Sequence, residues 1–173
     1  MPRRRNDLAA FSPKQLELLT WWTGWSPHRG KDAVICHGAV RSGKTFCMGL
    51  SFITWAMEGW DGQSFAICGK SRGGAERNLV DPLLPVLQRL GLSCRYQRGR
   101  GTLDVTWRGR RNRFWLFGGR DEGAAALIQG VTLAGGLLDE AALLPRSFVE
   151  QALARCSVEG SRFWFNCNPE HPG

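Results

Sequence analysis

Two short stretches of this chain carry residue types that could do chemistry together. Gly38, Ala39, Val40, Arg41, Ser42, Gly43, Lys44 and Thr45 match the phosphate-cradling pattern G-x-x-x-x-G-K-[ST] without a gap. Backbone N–H groups of such a loop, with the positive end of the following helix, make a seat for phosphates. Lys44 is expected to reach the β- and γ-phosphates and the Thr45 hydroxyl to ligate Mg²⁺, so ATP with Mg²⁺ is the expected ligand. The second stretch is Leu137-Leu138-Asp139-Glu140, an apolar run ending in two adjacent carboxylates. Alone it would read as a solvated acidic turn. Opposite a complete phosphate loop, Asp139 is expected to hold Mg²⁺, through water, and Glu140 to act as general base on the attacking water.

The loop needs a strand before it and a helix after it. Ala33-Val34-Ile35-Cys36-His37 is apolar and β-branched, as a buried strand should be, and Phe46 to Met57 has a helical spread of large apolar residues. Ser12-Pro13 is a helix start ahead of Leu16, Leu19 and Trp22. Phe65 to Cys68 reads as a strand, and Ala75 to Leu90 as a helix that Pro82 and Pro85 should break or kink. Leu103 to Trp107 and Phe114 to Phe117 flank Arg108-Gly109-Arg110-Arg111-Asn112, a hairpin with a basic tip that could touch DNA phosphates or a neighbouring subunit, or stand as a solvated turn. Ala124 to Gln129 and Pro145 to Arg155 read as helices, Leu133 to Leu138 and Arg162 to Phe165 as strands. This alternation predicts an α/β fold with a mainly parallel central sheet flanked by helices, plus a β-hairpin insertion. In open α/β sheets ligands bind at the C-terminal edge, where the acidic doublet would face the loop.

A length of 173 residues, 43% hydrophobic and 22% charged, fits one ordinary soluble domain. The formal net charge of +8 favours a polyanionic partner. No apolar run is long enough to cross a bilayer. The six cysteines form no C-x-x-C pair, which argues against a zinc site and a disulfide framework. Trp21, Trp22 and Trp25 could stack on an adenine or fasten a helix to the core.

Three further segments narrow the field: Phe11 to Gln15 (FSPKQ), Leu127 to Ala141 (LIQGVTLAGGLLDEA) and Phe165 to Pro172 (FNCNPEHP). With the phosphate loop, in this order and spacing, they resemble the N-terminal ATPase domain of tailed-phage terminase large subunits, in its prophage-type branch. The resemblance implies a P-loop NTPase of the RecA-like, ASCE type and an ATP-hydrolysing motor that packs double-stranded DNA into procapsids. Residues 1–173 would form one ATPase domain, with the N-terminal helix and adenine motif in 1–30 and the P-loop core in 31–173. It also implies that Gln15 contacts adenine and that Arg41 acts at the γ-phosphate beside Lys44 and Glu140. Asn166, Cys167 and Asn168 would form the coupling segment, with Cys167 standing where small hydroxyl residues are common. The implied partners are double-stranded DNA, further copies in a ring on the portal, and the terminase small subunit, with no membrane. The implied setting is the host cytoplasm, transiently docked on the procapsid portal. Arg72, Arg77 and Arg120 are candidates for an arginine offered to a neighbouring subunit. The family's nuclease domain has no counterpart before Gly173, so no nuclease activity is expected of this chain. A helicase-like P-loop ATPase and a non-catalytic nucleotide-binding assembly module are the alternatives.

Overall fold

Helix and strand alternate along the chain in this computed structural model, which describes residues 11–37 and 43–167. In order come α1 (Pro13–Thr20), β1 (Ala33–His37), α2 (Lys44–Gly59), β2 (Ser64–Gly69) and α3 (Arg72–Ala75). A π turn over Glu76–Val80 leads into α4 (Asp81–Arg89), followed by β3 (Ser93–Gln97), β4 (Thr102–Trp107) and β5 (Arg110–Gly118). The chain continues through α5 (Ala124–Gln129), β6 (Gly135–Leu138), a 3₁₀ turn (Ala141–Leu143), α6 (Arg146–Arg155) and β7 (Arg162–Cys167).

The strands make a single sheet in the order β1-β7-β6-β2-β5-β4-β3. The pairs from β1 to β5 are parallel, and β4 and β3 add antiparallel to the far side. The expected α/β architecture is present, with two differences. The hairpin is not an excursion from the sheet, because β5 pairs with β2 along its length while β4 and β3 extend the same surface. Its two-residue turn has positive φ at both Arg108 (50°) and Gly109 (76°), the primed geometry that matches strand twist. The second difference is β1, which lies at a sheet edge and, among the described residues, pairs with β7 alone; Ile35 is 58% exposed.

Side chains alternate between two cores. Phe65, Ile67, Phe114, Leu116, Leu137 and Trp164 pack beneath α2, with α1 and α4 beside it. Ala66, Cys68, Phe117 and Leu138 face α5 and α6 on the other side. The first core centres on aromatics: Trp164 lies 5.0 Å from Trp21, 5.0 Å from Phe52 and 5.1 Å from Trp55, ring centre to ring centre. Such contacts add about 0.5–1.5 kcal/mol each beyond area burial. One polar pin runs through them. The Ser51 hydroxyl donates to the Leu18 carbonyl at 2.7 Å and accepts from the Trp164 indole at 3.1 Å, tying α1, α2 and β7 together.

Pro82 and Pro85 do not break the helix. Pro82 stands in the first turn of α4, directly after the π turn at Glu76–Val80, where a missing N–H costs least, and Pro85 is carried inside α4.

Candidate functional site

The C-terminal ends of β1, β7 and β6 converge on the start of α2. Gly43 caps that helix in a left-handed conformation, φ 69°, which a residue with a Cβ adopts only with strain. Lys44 and Thr45 are the first residues of α2. Gly38, Ala39, Val40, Arg41 and Ser42 lie outside the described residues, as does Asn168.

One side chain joins the two sequence stretches. The Asn166 amide, at the end of β7, donates to Asp139 Oδ1 at 2.7 Å and approaches Thr45 Oγ1 at 3.4 Å. The Asp139 carboxylate fixes the amide's orientation, since the flipped form would set oxygen against oxygen. The side-chain oxygen of Asn166 is therefore left buried with no partner among the described residues. Asp139 is only 6% exposed, and burial pushes its carboxyl up from the usual range. The Asn166 amide and the nearby Lys44 charge pull the other way. Lys44 Nζ lies 3.5 Å from the Cys167 carbonyl, so the loop lysine also reaches the end of β7.

Thr45 Oγ1 and the Asp139 carboxylate are hard oxygen donors that the Asn166 amide brings to one spot. No group of three His, Cys, Asp or Glu residues with metal-ligand geometry occurs among the described residues. Mg²⁺ commonly takes one or two carboxylates plus phosphate and water, so this sparse oxygen set fits it.

Glu140 leaves β6 in a left-handed conformation (φ 49°, ψ 47°) and caps the 3₁₀ turn. Its Oε2 lies 3.6 Å from Lys70 Nζ, a contact that nothing in the sequence announced. Gln15 closes a capping box at the start of α1, its Oε1 accepting from the Ser12 N–H at 2.9 Å. Its amide nitrogen lies beside Gly43, where a Cβ would come within 3.1 Å of it. A cavity of about 660 Å³ opens next to it between α1 and β1, with Gln15, Trp21, His28, Ile35 and Lys44 in its wall.

Other sequence candidates fall elsewhere. Trp21 is buried against Trp164, the fastening role, whereas Trp25 is 97% exposed. The basic hairpin residues are held by the fold: Arg113 grips Asp104 through two hydrogen bonds of 2.7 and 3.1 Å, and Arg111 adds a third at 3.3 Å. These contacts hold the Asp104 carboxyl below its ordinary range, the Arg113 hydrogen bond contributing most. Arg110 donates to the Met57 and Glu58 carbonyls at the end of α2, and Arg108 stacks 4.2 Å over the Trp107 ring. Arg72 donates to the Arg98 and Gly99 carbonyls, and Arg120 to the Leu143 carbonyl. Among the described residues no helix is long and apolar enough to cross a membrane.

No family model matches the chain, and no curated protein sequence does. Solved structures do. The large terminase of a thermophilic bacteriophage is 49% identical, with a TM-score of 0.89 over 92% of this chain and 39% of that one. The same phage protein solved with ADP is 48% identical, with a TM-score of 0.87 over 92% of this chain and 39% of that one. The ATPase domain of the Thermus phage P74-26 large terminase shares the fold at 22% identity, with a TM-score of 0.67 over 94% of this chain and 71% of that one. This chain thus spans about two fifths of the length of the first of these proteins.

Proposed function

This chain belongs with the phage large terminases over the region it spans, and on that premise we propose that it is their ATP-hydrolysing motor domain. The observation that carries the reading is the Asn166 amide, which holds the acidic stretch and the loop threonine at one place. Residues 1–30 would contribute the α1 and adenine segment and 31–173 the P-loop core, with Gln15 at the adenine beside the cavity.

Backbone N–H groups from Gly38 to Thr45, including Ala39, Val40 and Ser42, would seat the phosphates, with Lys44 and Arg41 facing the γ-phosphate. Thr45 and Asp139 would hold Mg²⁺, which when bound neutralises charge on the β- and γ-oxygens. Glu140 takes a proton as the water oxygen bonds to the γ-phosphorus and the bond to the β-bridging oxygen breaks. ADP and phosphate are the products. Asn166, Cys167 and Asn168 would pass the loss of phosphate on to moving parts, since Asn166 touches both Asp139 and Thr45 and the Cys167 carbonyl meets Lys44. The partners that fit are double-stranded DNA, other copies in a ring at the portal, and a terminase small subunit, in the host cytoplasm. The net charge of +8 is consistent with the first of these.

The test is phosphate release from ATP with Mg²⁺, with EDTA, and with linear duplex DNA added. Release that needs Mg²⁺ and rises with DNA is the expected result; none above background in any condition ends the reading. A finer test is Asn166→Ala, which strips the buried Asp139 of its amide donor. Losing such an outer partner commonly costs about 10- to 100-fold in metal affinity or activity. The half-saturating Mg²⁺ concentration should rise accordingly, and an unchanged Mg²⁺ titration removes Asn166 from this role.

A further inference from the structure

We infer that the loop between α1 and β1 docks on a second copy of this chain, with Trp25 seated between the ends of α2 and α4 of that copy. This rests on, and deepens, the reading of the domain as one of several copies. Trp25 is 97% exposed, whereas Trp21 belongs to the core and Trp22 packs against it. The loop that carries Trp25 is pinned. The Arg29 guanidinium donates to the Gly24 carbonyl at 2.8 Å, and Arg162, at the start of β7, donates to the Arg29 carbonyl at 2.7 Å. A large ring held out in water by a fixed loop suits an interface anchor, since it offers contact area at little cost in entropy.

The socket lies at the other end of the sheet. Met57, Leu90, Leu92 and Trp107 line a cavity of about 190 Å³, with Thr54 and Glu58 completing its wall. An apolar cavity of roughly 150 Å³ holds benzene, so this one admits the six-membered ring of an indole. Leu90 is itself 53% exposed. Glu58, the one ionisable residue in that wall, makes no ion pair among the described residues, and neither does Lys31 in the anchor loop. Their charges are complementary.

Position suits the two features to head-to-tail contact. β1 and β3 are the two ends of the sheet. Arg162 begins β7, which runs parallel to β1, so the anchor loop sits where the parallel strands start. β4 runs antiparallel to β5, so Trp107 at its end lies on that same rim. A rotation about an axis along the strands joins anchor to socket and keeps Lys44 of every copy on the opposite rim. Contacts between two different patches are heterologous, and they build rings where the rotation closes.

Sedimentation velocity of the full chain without nucleotide, over rising concentration, tests this with Trp25→Ala and Leu90→Glu. The parent should self-associate, and each variant should weaken association by about 30-fold or more, the size of a hot spot. Mixing the two variants one to one should restore dimers and nothing larger. The Leu90→Glu chain keeps its anchor and the Trp25→Ala chain its socket. Glu58→Lys, which sets like charge against Lys31, serves as a second socket variant, and circular dichroism matching the parent's shows that each variant folds. A parent that stays monomeric, variants that associate as it does, or a mixture no better than its parts overturns the interface. No turnover enters the measurement, so its failure leaves the ATPase reading standing, and absent phosphate release leaves the interface standing.

Discussion

Glu140→Gln should stop turnover while ATP still binds. The substitution keeps size and shape but replaces a proton acceptor with an amide that cannot take one. General base catalysis contributes about 10²- to 10⁴-fold, and that is the expected fall in phosphate release. Binding should change little, because the groups expected to meet the phosphates lie in the loop and at the start of α2. Glu140 sits at the far end of β6, paired with Lys70. Rapid-quench turnover alongside equilibrium binding of a fluorescent nucleotide separates the two quantities. A variant that hydrolyses ATP at the parent rate, or that no longer binds it, removes Glu140 from the role of base.

Lys44→Ala should fail earlier, at binding. The side chain starts α2, lies against the Cys167 carbonyl, and lends positive charge to a pocket where Asp139 is buried. Removing it takes away one or two charge-assisted hydrogen bonds to phosphate, at about 1.5–3 kcal/mol each. Affinity for ATP should therefore fall by roughly 10²-fold or more, with turnover lost at any practical nucleotide concentration. Lys44→Arg is not a rescue, since a planar guanidinium cannot stand in for a compact ammonium at the mouth of a tight loop. The pair of variants divides the cycle: one binds and does not react, the other does not bind. Unaltered affinity in Lys44→Ala would detach the loop from the phosphates.

Much of this was legible in the chain because it was local. Ser12-Pro13 marks a helix start, and α1 begins there, with Gln15 closing a capping box that was not anticipated. The apolar runs at Phe65, Leu103, Phe114 and Arg162 are strands where the pattern said. Gly43-Lys44-Thr45 opens a helix, as the motif requires. What local pattern could not supply was neighbours. Ala33 to Cys36 has the composition of a central strand yet ends up at an edge, because strand order depends on pairings far along the chain. Ser93 to Gln97 (SCRYQ) alternates only Cys94 and Tyr96 with polar residues, a weak signal beside the stronger apolar runs, and became β3 by adding to β4. The arginines of the hairpin read as a free basic tip, whereas Asp104, on the adjoining strand, lies beneath Arg111 and Arg113. Lys70 carried no signal, being one lysine after a strand, and only the adjacency of β2 and β6 brings it to Glu140. The bridging by Asn166 was hidden in the same way: its residue type next to a readable strand could be seen, its two contacts could not.

Trp164 and Asn166 stand two residues apart on the same side of β7, one locked among aromatic rings and the other touching Asp139. A close-packed cluster like that around Trp164 resists gradual deformation. β7 therefore behaves as a beam clamped at Trp164, its tip at Asn166 and Cys167 paired with Cys36 and His37 of β1. Any stroke that begins at the tip has to be a bend about the clamp, because axial travel would drag Trp21, and α1 with it, out of register.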